Sequence, residues 1–178
     1  MTRTRKLKLN MITTLIYQTI SIVSVFILPR FFLQYYGSDV NGLVSSITQF
    51  LAVISLCEGG VGAVVQTALY KPIAENDEKE ISRIYKSSTK FFNKIAIILI
   101  DYTAILVFVY PHIVNKSFDT LYTGILIVTL SISLLFQYYF AITYKLILNA
   151  AQLIYIQMIV STVSLVLNIV IQQLTTVI

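Results

Sequence analysis

The side chains most able to do chemistry in this sequence are charged residues inside apolar stretches. Glu58 lies deep in such a stretch and is followed by Gly59, Gly60 and Gly62. A charge at mid-bilayer costs about 2.5–3.5 kcal/mol on insertion scales, so an intramembrane carboxylate is a functional-site hypothesis. The glycines can kink the helix or admit another backbone, and the carboxylate can bind a cation or a proton. The alternative is a structural Glu58 that pairs with a neighbouring helix or reaches an aqueous cleft.

Two further charges and two amides complete the predicted pathway. Asp101 lies inside the third apolar stretch, where it points into a polar interior or sits near the headgroups. Arg30 follows Pro29, and arginine matches phosphate oxygens bidentately, although an interfacial snorkelling role would also explain it. Gln49 and Asn149 indicate a polar bundle interior, but interhelical hydrogen bonding alone would also account for them.

Catalytic patterns are missing from the sequence. It contains no GxGxxG, no phosphate-binding GKS or GKT, no GxSxG and no HExxH. A single cysteine, Cys57, cannot form an internal disulfide, and a single histidine, His112, excludes a multi-histidine metal site. We therefore expect no enzymatic activity, no metal and no cofactor.

The elements that must position these residues are membrane helices. Of the 178 residues, 57% are apolar and only 12% are charged, against roughly 25% charged in a typical soluble domain. Five apolar stretches are each long enough for a spanning helix, which needs roughly 20 residues; they cover residues 9–28, 43–70, 95–114, 121–144 and 153–174. Residues 35–42 and 115–120 are predicted connections, and Pro29 is expected to kink or end the first helix. The fold class is an all-α polytopic membrane protein forming one membrane domain over residues 1–178.

The basic residues set the predicted orientation. Eleven of the 13 lysines and arginines fall in the N-terminal tail, in the connection between the second and third stretches, and after the fourth, whereas Arg30 and Lys116 fall on the other side. Cytoplasmic loops carry the excess of cations, so the N-terminus is predicted to be inside. Aromatic residues gather at predicted helix ends, such as Tyr138, Tyr139 and Phe140 at the inner end of the fourth stretch. The net charge of +5 thus indicates a lipid surface rather than nucleic acid.

The connection between the second and third stretches has a helical pattern of its own. Asp77 and Glu80 have the spacing of a helix N-cap and its N3 residue. Apolar residues then recur at helical spacing opposite a basic stripe, which consists of Lys79, Arg83, Lys86, Lys90 and Lys94. This pattern predicts a cytoplasmic amphipathic helix whose cations bind anionic lipid headgroups. The alternative is a solvated extension of the third membrane helix.

Several segments resemble bacterial polysaccharide-repeat exporters, the Wzx-like oligosaccharide flippases of the multidrug/oligosaccharidyl-lipid/polysaccharide superfamily. The first resemblance is carried by Gly37, Gly42, the Glu58-Gly59-Gly60 element and the Leu69-Tyr70-Lys71-Pro72 run ahead of an acidic loop. The second is carried by Tyr144, Ala150, Gln152 and Tyr155. Ala151 stands where the family often has an acidic residue, so the chain departs from the family pattern at this position. The resemblance extends over nearly the whole chain.

This resemblance implies a bacterial plasma-membrane transporter that flips lipid-linked oligosaccharide repeat units by alternating access. The family has twelve to fourteen helices in two lobes, so the chain would match the first part of the N-terminal lobe, and its partner would be the remainder of the transporter. Arg30 would face the pyrophosphate, while Glu58 and Asp101 would couple proton or ion movement. The alternatives are a multidrug or cation antiporter of the same superfamily, and a non-transporting membrane subunit or decayed fragment.

Overall fold

The protein is all-α. The computed structural model describes residues 3–113 and 118–177, without the side chains of residues 3, 57, 59 and 172–177. The helices are α1 (Arg3–Glu75), α2 (Glu78–Ile113), α3 (Thr120–Phe136), α4 (Ile142–Ala150) and α5 (Ile154–Val177), and a π-helical turn (Gln137–Ala141) joins α3 to α4. Within the described ranges, four segments are long and apolar enough to cross a membrane: Thr4–Leu56, Glu78–Ile113, Thr120–Ala150 and Ile154–Ile171. The chain is therefore a multi-pass membrane protein by helix length and hydropathy.

The first two predicted spans form one helix, α1, which is interrupted at a single residue. Gly37 has φ 78° and ψ 172°, and it is the break between two helical arms. Glycine adopts this backbone region without the steric cost that a Cβ would impose. The predicted connection over residues 35–42 was therefore wrong in its extent, because the residues around Gly37 are helical. The prediction that Pro29 ends the first helix was also wrong, since α1 continues to Tyr36 before its break.

Unit 2 covers Leu43–Ile147 and contains the second arm of α1 together with α2, α3 and most of α4. Contacts join Tyr85 to Tyr144, Thr89 to Thr143 and Val107 to Gly124. The residue number rises along α2 as it falls along α3 and α4, so these elements are antiparallel. The core between the helices includes Ile47, Leu51, Phe92, Leu99, Ile127 and Ile142. Unit 2 is thus a packed three-helix bundle.

The turn between α1 and α2 is fixed by local hydrogen bonds. Asn76 adopts φ 55°, the left-handed region that asparagine tolerates better than most residues. The amide of Asp77 donates to the carbonyl of Pro72, and that of Asn76 to Ile73, which together form a Schellman cap. The Asp77 side chain then accepts from the Glu80 amide at 3.1 Å. The predicted N-cap is confirmed.

The segment that carries the basic stripe is the first half of α2 rather than a separate helix. Its apolar side is occupied by protein, because Ser88 and Phe92 are buried and Thr89 contacts Thr143. The predicted amphipathic helix, with an apolar face in lipid, was therefore wrong, and the alternative of an extended membrane helix is what α2 forms. All five cations of the stripe are exposed on the opposite side.

Unit 1 consists of the chain up to Gly42 together with the chain from Leu148 onward. It contains the first arm of α1, the α4–α5 turn and α5. In that turn Gln152 adopts φ 58°, and Leu153 donates to the carbonyl of Leu148. Side chains of α1 hold the turn: Lys6 Nζ donates to the carbonyl of Ala151 at 3.2 Å, and Asn10 Nδ2 to that of Gln152 at 3.1 Å. Residues 114–117, which hold Lys116 and the first half of the predicted connection 115–120, lie outside the described residues.

Candidate functional site

The central element of the candidate site is Glu58, on the second arm of α1. Its side chain is half-buried, and it lies in unit 2 among apolar helices. The arm keeps helical backbone angles through its glycines, and the break in α1 lies at Gly37 instead. Gly62 faces α4, where an added Cβ would lie 3.7 Å from Leu146 Cδ2, whereas a Cβ on Gly60 would meet open space. Gly62, one turn after Glu58, therefore lies at the contact between the second arm of α1 and α4.

Tyr138 is the partner of Glu58. The phenolic hydroxyl of Tyr138 donates to Glu58 Oε2 at 3.1 Å across two helices. Tyr138 is only 2% exposed, so this hydrogen bond forms where little water competes. The sequence indicated an aromatic cluster at a helix end, and this ring of the cluster packs between helices. Tyr138 is a site residue that the sequence did not reveal.

The π-helical turn explains how Tyr138 reaches Glu58. Residues Gln137–Ala141 form this turn between α3 and α4, and Tyr138 is its buried member. A π turn widens the helix locally and changes the direction of its side chains, and such turns are frequent at functional sites. No residue pattern in the sequence signals a π turn, which is why the Tyr138–Glu58 pair could not be predicted.

The Glu58 carboxylate has no cationic partner within the described part of the chain. The ion pairs found there are Lys71–Glu75 and Arg83–Glu80, both of which lie outside the bundle core. A carboxylate held among apolar helices by one neutral donor is only partly compensated for its lost hydration. Such a group can take up a proton or a small cation. This is the chemistry that the Glu58–Tyr138 pair makes available.

The other predicted pathway residues divide between the two units. Asp101 on α2 and Gln49 on α1 are exposed in unit 2, whereas Arg30 is exposed and Asn149 half-buried in unit 1. Within the described side chains of unit 2, no hydrogen bond or ion pair joins Asp101 or Gln49 to Glu58. Asp101 is an exposed carboxylate inside a candidate span, which is costly against lipid and indicates contact with water or another helix.

Hydroxyl and aromatic contacts fix the helices around Glu58. Tyr102 donates to the carbonyl of Phe50 at 2.9 Å, and the Phe50 ring packs edge-on against Tyr110 with a centroid distance of 5.5 Å. Tyr85 and Tyr144 share a hydrogen bond of 3.1 Å between their hydroxyls at the other end of the bundle. The Glu58–Tyr138 pair therefore lies between two cross-linked ends, which restricts its movement.

No group of three or more metal-ligating side chains occurs in the described residues. Comparison with known proteins adds no relative: no family matches the sequence, and no curated protein or solved structure is significantly similar to it. The features that can indicate a function are therefore the membrane-length helices and the Glu58–Tyr138 pair.

Proposed function

We propose that the protein is part of a membrane transporter in which Glu58 exchanges a proton or a small cation during transport. The observation that carries this proposal is the Tyr138–Glu58 hydrogen bond between two membrane helices at a π turn. A half-buried carboxylate with one neutral donor can change its ionic state, and π turns are frequent at functional sites. The lack of catalytic motifs is consistent with transport rather than with an enzyme.

The proposed topology has five crossings with the N-terminus in the cytoplasm. Each arm of α1 is longer than the roughly 20 residues that a crossing requires, so each arm is proposed to cross the membrane once. The second arm, α2 and the α3–α4 segment alternate in direction, as consecutive crossings do. The concentration of cations at the N-terminus and at the start of α2 supports the cytoplasmic assignment of those ends.

The proposed substrate is a lipid-linked oligosaccharide repeat unit, moved across the bacterial plasma membrane for polysaccharide export. This part rests on the sequence resemblance to Wzx-like flippases. Arg30 is exposed in unit 1, so its guanidinium is available to a pyrophosphate group. Asp101 is a second exposed carboxylate that can contribute to ion coupling. Five helices alone do not enclose a two-lobed cavity, so we propose that several copies of the chain assemble in the membrane to complete it.

A multidrug or cation antiporter of the same superfamily is the second candidate, and the acidic character of Glu58 favours it. The two functions differ in cargo, so reconstitution separates them. We expect the chain, in proteoliposomes with a pH gradient, to flip a fluorescent lipid-linked oligosaccharide and not to extrude a small cationic dye. Dye transport without flipping would favour the antiporter. Transport of neither cargo would contradict a self-sufficient transporter and favour the non-transporting subunit.

A further inference from the structure

A groove opens on the surface of unit 2 between α2 and the π-helical turn. Its cavity volume is about 360 Å³. The α2 side is lined by one amide, that of Asn93, followed by aliphatic side chains, and the other side by aromatic rings. The residues that matter here are Asn93, Ile97, Ile100, Phe136, Tyr139 and Phe140. The groove is separate from the buried Glu58–Tyr138 contact, because it is formed by the exposed neighbours of Tyr138.

The α2 side of the groove continues directly into the basic stripe. Lys86, Lys90, Asn93, Ile97 and Ile100 follow one another at spacings of three or four residues, which place them along one side of the helix. The side chains along this line therefore change from cationic to amide to aliphatic. At 1.5 Å per residue, Lys90 lies about 5 Å and Lys86 about 10 Å before Asn93 along the helix axis. This order matches the phosphate, glycerol and acyl levels of a phospholipid.

The aromatic side of the groove has the character of a membrane interface. Tyr139 and Phe140 are exposed, and their rings pack edge-on with a centroid distance of 4.8 Å. Phe136 stacks against Phe140 at 5.6 Å. A tyrosine beside phenylalanines suits the boundary between headgroups and acyl chains, because the ring is apolar and the hydroxyl stays hydrated.

Charge decides which lipid fits. Lys86 and Lys90 are exposed, and neither forms an ion pair among the described residues. Glu80 is already paired with Arg83 at 2.7 Å, and Asp101 is not part of the groove lining. The cationic group of a zwitterionic headgroup would be repelled by the two lysines. An anionic headgroup carries only the negative phosphate charge, which the two lysines attract.

We propose that this groove binds an anionic glycerophospholipid, with its phosphate at Lys86 and Lys90 and an acyl chain along Ile97 and Ile100. The Asn93 amide lies at the glycerol level, where it can donate to a phosphate or ester oxygen. The inference requires only that α2 crosses the membrane and does not depend on the transport proposal. It assigns two of the five cations of the basic stripe to a defined site.

The sequence contains no tryptophan, so a single introduced indole reports on its own surroundings. Ile97→Trp places the reporter in the groove, and Ile98→Trp places a matched control at the same depth but one position around the helix, outside the groove lining. Both positions are exposed, at 59% and 53%, so the substitutions spare the core. Ile100→Trp is a second groove reporter should Ile97→Trp fail to fold. Each full-length variant is reconstituted into phosphatidylcholine bilayers that contain a small fraction of brominated lipid.

We expect brominated phosphatidylglycerol to quench the tryptophan fluorescence of Ile97→Trp more strongly than the same fraction of brominated phosphatidylcholine does. The difference should correspond to an enrichment of phosphatidylglycerol at the groove of about tenfold. Ile98→Trp should be quenched equally by the two lipids. In the Ile97→Trp background, Lys86→Gln with Lys90→Gln should abolish the excess. Lys79→Gln with Arg83→Gln, which removes the same charge farther from the groove, should leave it in place. The proposal would be overturned if the two brominated lipids quenched Ile97→Trp equally, or if Ile98→Trp showed the same excess quenching by phosphatidylglycerol as Ile97→Trp. It would also be overturned if the two double variants lost this excess to the same extent.

Discussion

The two units of the chain are stabilised in different ways. Unit 2 has buried side chains along the length of its helices, from Ile47 and Leu51 on α1 to Phe92 and Leu99 on α2 and Ile127 on α3. In unit 1, by contrast, α5 is exposed or half-buried wherever its side chains are described. The polar side chains of Lys6 and Asn10 hold the α4–α5 turn at one end of unit 1.

This difference indicates which unit can hold a precise site. Interhelical packing fixes the helices of unit 2 at many levels, so the Tyr138–Glu58 distance is set by the whole bundle. The helices of unit 1 carry apolar surfaces that lipid or further membrane helices can cover. The following predictions separate the two modes of stabilisation.

The largest effect is expected from a core deletion in unit 2. Phe92 is fully buried, so Phe92→Ala removes packing and leaves a cavity. We expect a loss of about 3 kcal/mol in the free energy of unfolding. The matched control is Phe26→Ala in unit 1, where the ring is 76% exposed and the loss should stay below about 0.5 kcal/mol. Unfolding in mixed micelles, followed by circular dichroism, measures both, and equal losses would contradict the comparison.

The second prediction concerns the polar attachment in unit 1. Asn10 donates to the carbonyl of Gln152 and accepts from the Tyr155 amide at 2.9 Å, so Asn10→Ala breaks both hydrogen bonds. We expect a local cost of about 1–2 kcal/mol. Hydrogen exchange should accelerate roughly tenfold in the α4–α5 turn and stay unchanged in the α1–α2 turn.

Thr19→Val is the control for this prediction, because among the described residues the Thr19 hydroxyl donates to the Leu15 carbonyl of its own helix. It should leave exchange in the α4–α5 turn unchanged. Faster exchange in both turns after Asn10→Ala would mean that Asn10 stabilises the whole chain rather than unit 1.

A smaller effect is expected at the candidate site. Tyr138→Phe removes the hydroxyl that donates to Glu58, and intramembrane hydrogen bonds are worth about 0.6 kcal/mol on average and at most about 1.7. A double-mutant cycle with Glu58→Gln should give a measurable coupling energy. Tyr102→Phe removes a comparable bond to the Phe50 carbonyl and should show no coupling to Glu58. Additive effects of Tyr138→Phe and Glu58→Gln would remove the physical basis of the pair.

The smallest predicted effect is a gain in stability. Gln152 and Asn76 both have positive φ, at 58° and 55°, but glutamine tolerates this region less well than asparagine. Gln152→Gly should therefore stabilise the chain by about 0.5–1 kcal/mol, and Asn76→Gly by less. Thermal unfolding of the two variants gives the ranking. A destabilised Gln152→Gly would show that contacts of the glutamine side chain outweigh its backbone strain.

Local rules made much of the fold predictable. Asp77 and Glu80 had the spacing of an N-cap, and the apolar stretches specified helices of membrane length. The sequence analysis predicted a loop over residues 35–42, because this segment is polar and contains two glycines. In the structure a single residue interrupts the helix, since Gly37 alone adopts backbone angles outside the helical region. The apolar side of the early α2 segment was also misassigned, since periodicity shows that a face is apolar and not whether protein or lipid covers it.

The candidate site was predictable only in part. Glu58 stood out because a charge within an apolar run is costly. Tyr138 did not, because a tyrosine in a membrane helix is equally compatible with an interface and with a buried hydrogen bond. The hydrogen bonds of Asn10 to Gln152 and Tyr155 join residues more than 140 positions apart, a pairing that no local pattern specifies.

The most direct measurement of the central claim is gradient-driven flipping of a lipid-linked oligosaccharide by Glu58→Gln in proteoliposomes. Glu75→Gln is the matched control, because Glu75 is an exposed carboxylate at the end of α1 and pairs only weakly with Lys71 at 3.9 Å. If Glu58 exchanges the coupling ion, Glu58→Gln should lose the dependence on the pH gradient or the cation gradient, while Glu75→Gln keeps it. Full gradient-driven flipping by Glu58→Gln, at a normal protein level, would contradict the account.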